Sequence, residues 1–232
     1  PACRSLDCVS VFALNTRDAE RIYEVAAQYD EADGYARSRT MVRNERIQTL
    51  GIPAGAPWFG DEVQKAAYDK ACDQAVNAGF ELVEVDFTPM FELASLLYQG
   101  PWVAERYAAV GEFLKQDLPG INPVVKSIIA GGTEGTAVDA FKAEYRRKDL
   151  ARKIQGVFKH VDALFVPTTP RFPSSADVES APVEVNSQLG TYTNFVNLAD
   201  LCALALPAHM REDGLPFGVT LIAPAWHELA LT

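Results

Sequence analysis

Apolar residues recur along the chain with two different periods, and the switches between those periods predict its elements. Residues 6–14 (LDCVSVFAL) form a mostly apolar run of strand length. Ala19, Ile22, Ala26 and Tyr29 then recur at helical spacing, which predicts an amphipathic helix over 16–29 with Asn15-Thr16 as its cap. Beyond a polar loop containing Gly34, residues 46–52 (RIQTLGI) read as a strand stopped by Pro53, and 54–60 as a Gly/Pro loop. Residues 61–78 are helical again, with acidic residues first, an apolar stripe at Val63, Ala67, Ala71 and Ala75, and Gly79 as the stop. Residues 80–87 (FELVEVDF) are the next strand. This βαβ order predicts an α/β layered sheet.

The middle of the chain, 90–160, is helical in pattern and interrupted twice, at Gly100-Pro101 and around 118–120. A long helix over 137–159 follows Gly131-Gly132. Residues 161–166 (VDALFV) form a strand of the buried type that ends in Pro167-Thr168-Thr169-Pro170, and the Pro-, Ser- and Ala-rich stretch beyond reads as a loop. A short helix over 193–201 and strands over 203–206 and 217–222 complete the pattern. With no internal repeat and no low-complexity tract, a single domain spanning 1–232 is expected.

Composition alters this picture little, but charge narrows the function. The 232 residues are 48% hydrophobic and 22% charged, an ordinary globular balance. A net charge of −10 repels phosphate backbones and anionic lipids, so neither nucleic acid nor a membrane is an expected partner. Cys3, Cys8, Cys72 and Cys202 make no close pair and do not cluster with His160, His209 or His227. Reduced thiols in a cytoplasmic protein, with no metal site and no cofactor, are expected. The chain starts at Pro1 without a signal peptide, which reads as a cut through a larger protein.

Several motifs fail on inspection. Gly131-Gly132-Thr133-Glu134-Gly135 follows a helix and lacks the Lys-Ser/Thr of a phosphate loop, so it is expected to be a flexible connector. Asp30, Glu31 and Asp33 do not follow the EF-hand order. No Gly-x-Ser-x-Gly elbow is present, and no nucleophile sits beside an activating base.

Taken together, three segments resemble the amidase signature family. They are RSLD, a strand and then NTRDA near the start; VDALFVPTTPRFP; and TYTNFVNLADLCALALPA followed by DGLPFGVTLIAP. Within that family RSLDCVSVFAL, YQGPWVAERYAAV and LGTYTNFVNLADLC look most like its allophanate hydrolase branch. The resemblance implies a mixed β-sheet flanked by helices, incomplete at its N-terminus, and hydrolysis of allophanate (urea-1-carboxylate) to ammonia and carbon dioxide in urea degradation. It implies a homodimer when complete and a functional link to urea carboxylase. The family's lysine, cis-peptide serine and nucleophilic serine have no counterpart here, since Ser5, Ser10, Ser38 and Ser127 sit in no Gly/Ser-rich loop. No catalytic residue is therefore expected in this chain, which reads as the second half of an amidase domain, inactive alone.

The same resemblance assigns substrate contacts to Tyr98 and Arg106. In a straight helix these residues would lie about 12 Å apart along the axis. Gly100-Pro101 permits a bend that turns both toward one pocket, where a guanidinium fork and a phenol meet a carboxylate. The competing expectation pairs Arg106 with Glu105, Glu112 or another surface acid and packs Tyr98 in the core. Trp102 and Tyr107 are assigned to packing. Tyr192 and Asn194 are expected either on the pocket floor or as buried hydrogen-bonding groups. Rival functions are another amidase, including the amidotransferase component that acts on charged tRNA, and a non-catalytic amidase-like scaffold.

Overall fold

The computed structural model describes residues 2–39, 46–116 and 118–232. Five strands form one mixed sheet in the order β2-β1-β3-β5-β4. Strands β1 (Thr49–Pro53), β2 (Glu81–Val85) and β3 (Ala163–Pro167) run parallel, while β5 (Pro216–Pro224) is antiparallel to β3 and to the edge strand β4 (Leu201–Met210). All five residues of β3 are buried, as expected of a strand covered on both faces.

Alternation along β3 sorts its side chains into two cores. Leu164 and Val166 face one cluster with Phe87, Met90, Leu93, Leu150, Ile154 and Phe195. Ala163 and Phe165 face the other, with Leu50, Ala67, Tyr68, Ala71, Phe217 and Val219. Helix α2 (Glu62–Asn77) covers the second face, and Asp61 caps it by accepting from the Gln64 amide. Helices α3 (Thr88–Gln99), α4 (Trp102–Leu114) and α6 (Ala137–Val157) supply the first face, with α9 (Phe195–Leu198), while α5 (Pro123–Ala130) packs on α4 and buries no residue. Both expected breaks in the middle are present. Gly131–Thr133 is not loose but forms a 3-10 turn between α5 and α6.

Three expectations need correction. Residues 6–14 are not a strand: among the described residues no neighbour supplies a ladder, and Val9, Phe12 and Leu14 are 90%, 92% and 100% exposed. Apolar content alone does not make a strand, because backbone groups need partners. Helix α1 (Thr16–Ala26) follows with its Asn15 cap as expected, yet buries no residue. The second correction lies after β3, where α7 (Ser175–Ser180) and α8 (Pro182–Leu189) replace the expected loop. Ser174 and Asp177 form a reciprocal capping box, and Pro182 occupies a first-turn position where its missing amide costs nothing. The third is length. Pro207 does not end β4 but sits in an irregularity of this edge strand, a position that tolerates proline. The loop expected before residue 46 includes 40–45, which lie outside the described residues.

Candidate functional site

The break between α3 and α4 is set by backbone contacts. The Gly100 amide donates to the Leu96 carbonyl at 2.8 Å, and a Cβ at this position would lie 2.4 Å from the same oxygen. Only glycine fits there. Pro101 then starts α4, and its carbonyl accepts from the Ala104 and Glu105 amides. Across the break, the Arg106 guanidinium carbon comes within 5.2 Å of the Tyr98 ring centroid. A cation over a tyrosine face is held by the ring quadrupole.

The acids next to Arg106 are engaged elsewhere. Glu105 accepts from the Ser5 amide at 2.7 Å and from its hydroxyl at 2.6 Å. Glu112 accepts from Lys115 at 2.5 Å. Among the described residues no carboxylate lies within ion-pair distance of Arg106. Arg106 instead lines a pocket of ≈ 180 Å³ together with Asp7, Leu97, Thr193, Asn194 and Asn197. That volume is below the usual range for drug-sized ligands and suits a molecule of a few heavy atoms.

The N-terminal turn forms one wall of this pocket. Asp7 accepts from the Ala2 amide at 2.7 Å and the Cys3 amide at 2.9 Å, and Asn197 donates to the Leu6 carbonyl at 2.9 Å. The buried Cys3 thiol lies beside Arg106; burial pushes its pKa up, and the guanidinium opposes the rise. The opposite wall is the turn ahead of α9. There the Asn194 amide donates to the Gly190 carbonyl at 2.8 Å, and the Asn194 carboxamide folds over Gly190 into space that any Cβ would fill.

Of the four residues singled out from sequence, Arg106 and Asn194 share the pocket. Tyr98 stacks on Arg106 from outside the lining and is 45% exposed. Tyr192 is elsewhere. It is fully buried against Trp58, Phe87 and Phe91, and its hydroxyl donates to the Pro57 carbonyl at 3.1 Å. Burial raises its pKa well above the tyrosine range. Sequence reading missed Thr193, Asn197 and Asp7, although all three lie in the segments TYTNFVN and RSLD that carried the resemblance. A larger hollow of ≈ 390 Å³ lies at the start of α2, where the cationic lining residue, Arg171, is bonded to Gln188 at 2.8 Å. Among the described residues no group of His, Cys, Asp and Glu is arranged to hold a metal ion. No helix among them is long and apolar enough to cross a membrane.

Comparison with known proteins bears on the fold and the family. The chain is 45% identical over its whole length to the urea amidolyase of Saccharomyces cerevisiae, of which it spans 13%. It is 26% identical over 98% of its length to a glutamyl-tRNA(Gln) amidotransferase component of Sulfurimonas denitrificans, spanning 57% of that protein. An allophanate hydrolase structure from Kluyveromyces lactis superposes on the whole chain with a TM-score of 0.92 at 45% identity, and the match spans 39% of that chain. An amidase at 20% identity shares the fold, with a TM-score of 0.77. The family model for amidases matches residues 1–232 from end to end, and the chain belongs to the Amidase family.

Proposed function

We propose that this chain forms the carboxylate-recognition side of an allophanate hydrolase site, in a protein that converts allophanate to ammonia and carbon dioxide. The observation that carries this reading is Arg106, which lines a small pocket and has no carboxylate within ion-pair distance among the described residues. Allophanate bears a carboxylate next to the amide that is cleaved. A planar guanidinium meets a carboxylate with two parallel, charge-assisted hydrogen bonds. The Tyr98 ring holds the cation in place before substrate arrives, and Thr193 and Asn194 line the same volume as further polar residues. Tyr98 packs against the arginine in this reading rather than facing the ligand from the lining.

The nucleophile comes from outside these residues. A serine attacks the amide carbon, ammonia leaves, and water releases the acyl group from the resulting acyl-enzyme. The likeness to urea amidolyase supports a functional link to a urea carboxylase, and a homodimeric, cytoplasmic enzyme is part of the same reading. A net charge of −10 disfavours the tRNA-directed alternative.

The test is Arg106→Lys in the full-length protein, assayed on allophanate and on a neutral amide of similar size. Lysine keeps the charge and loses the fork, so kcat/KM for allophanate is expected to fall about 10–100-fold, the worth of one charged hydrogen bond at about 1.5–3 kcal/mol. The neutral amide should be unaffected. Equal losses on both substrates would refute carboxylate recognition by Arg106.

A further inference from the structure

The Arg106 pocket carries two opposite charges that do not pair. Asp7 lines the same cavity of ≈ 180 Å³, yet it is not within ion-pair distance of the arginine. Both hydrogen bonds that Asp7 accepts, from the Ala2 and Cys3 amides, fall on one oxygen, Oδ2. The other, Oδ1, accepts none among the described residues. The turn itself has further ties. The Leu6 and Asp7 amides donate to the Cys3 carbonyl at 2.9 and 2.7 Å, Glu105 holds Ser5, and Asn197 holds Leu6. Closing the turn therefore uses only half of the Asp7 carboxylate.

The spare oxygen restricts what the pocket can hold. Thr193, Asn194 and Asn197 each both donate and accept, so they adapt to whatever a ligand presents. A carboxylate only accepts. An anion that offers Asp7 no hydrogen would place its own negative charge beside a second one, which is repulsive. An anion with an N–H next to its carboxylate is matched at both ends, the charge by Arg106 and the donor by Asp7. Allophanate has this order of groups, because an imido N–H joins its carboxylate to its amide carbonyl.

We propose that Asp7 accepts the imido N–H of allophanate through Oδ1 and thereby selects N-carboxylated ureas over carbon-linked amide acids of the same shape. The assignment rests on the reading of Arg106 as the partner of the substrate carboxylate. Asp7 binds and takes no proton, since the bond that breaks lies at the far amide and the imido nitrogen keeps its hydrogen. Malonamate is the discriminating analogue. It keeps the carboxylate and the amide but has a methylene in place of the imido N–H. A site built to bond an N–H rejects the isostere that lacks it, because its acceptor is left unpaired.

The test assays the full-length protein on allophanate, with malonamate as a competitive inhibitor, in wild type, Asp7→Asn and Arg106→Lys. Asparagine keeps one oxygen for the two turn amides and puts an NH2 group in place of the other, so an acceptor becomes a donor. In Asp7→Asn, kcat/KM for allophanate is expected to fall about tenfold or more, while Ki for malonamate stays within about threefold of wild type or improves. Arg106→Lys should weaken both ligands, since both carry the carboxylate. Equal losses on the two ligands in Asp7→Asn, or unchanged activity on allophanate, overturn the role of Asp7 and leave that of Arg106 standing. An Arg106→Lys variant that weakens neither ligand refutes the carboxylate reading, and the assignment of Asp7 with it. A second measurement needs no variant to fold. In the unaltered protein Ki for malonamate should exceed KM for allophanate about tenfold or more, and equal values overturn the proposal.

Discussion

Arg106 and Gly100 illustrate two ways in which a single residue shapes the site. Arg106 contributes chemistry, while Gly100 contributes only the absence of a Cβ, 2.4 Å from the Leu96 oxygen. In Gly100→Ala the clash with backbone cannot be relieved by a rotamer change, so α4 must shift. A stability loss of about 1–3 kcal/mol in urea titration is expected, typical of overpacking, together with reduced activity on allophanate. Wild-type stability in this variant would show that the break tolerates a side chain. His209 offers a separate test. It bonds Gln74 at 3.1 Å and stacks near Phe217, with its Nε2 buried and unpartnered. Burial, with Lys70 adding repulsion, lowers its pKa below the ordinary 6.5. The unfolded chain therefore takes up a proton that the native state disfavours. Stability from this residue is present above pH 6.5 and is lost as the pH falls below it. Replacing His209 with Gln should flatten the dependence of the denaturation midpoint between about pH 7.5 and about pH 5.5. An unaltered slope would place the acid sensitivity in other groups.

At the scale of elements, the polar joint around Arg211 matters most. Its side chain, 4% exposed, bonds Gln64 and Asp213 at 2.6 Å each and lies 3.6 Å from Asp61. Gln64 donates to the Thr169 carbonyl at 2.7 Å, and Asp61 accepts from the Phe172 amide at 2.9 Å. One guanidinium thus ties the turn between β4 and β5 to the start of α2 and to the segment after β3. Removing it strands several desolvated partners, and Arg211→Ala is expected to cost about 3–5 kcal/mol by chemical denaturation. A loss below about 1 kcal/mol would mean that water replaces the arginine without penalty. The same region shows why α7 and α8 are not legible in the sequence. Prolines and serines there suggest a loop, yet Ser174 and Pro182 act as helix starters, and their composition is the same in either role.

Across the whole molecule, the legible parts are those where local pattern and tertiary environment agree. The βαβ unit β1-α2-β2, the buried β3 and both breaks in the helical middle follow from periodicity and from Gly/Pro positions. Residues 6–14 mislead because a strand is a pairing, and pairing is not written in one segment. The pocket is half legible. Arg106 and Asn194 line one cavity, but sequence cannot tell that Tyr192 turns into the aromatic core while its neighbour Thr193 turns out. Successive residues in a tight turn diverge, and no period predicts which of them faces a cavity.

The break at Gly100 also makes the site sensitive to chain length in a way that its side chains are not. Each residue of helix advances the direction of the next by about 100°. Inserting or deleting one residue between Pro101 and Arg106 would swing the guanidinium off the Tyr98 ring and out of the cavity, with every atom of the fork intact. The side chains along α4 can therefore change without moving the fork, whereas the count of residues from Gly100 to Arg106 is fixed by geometry.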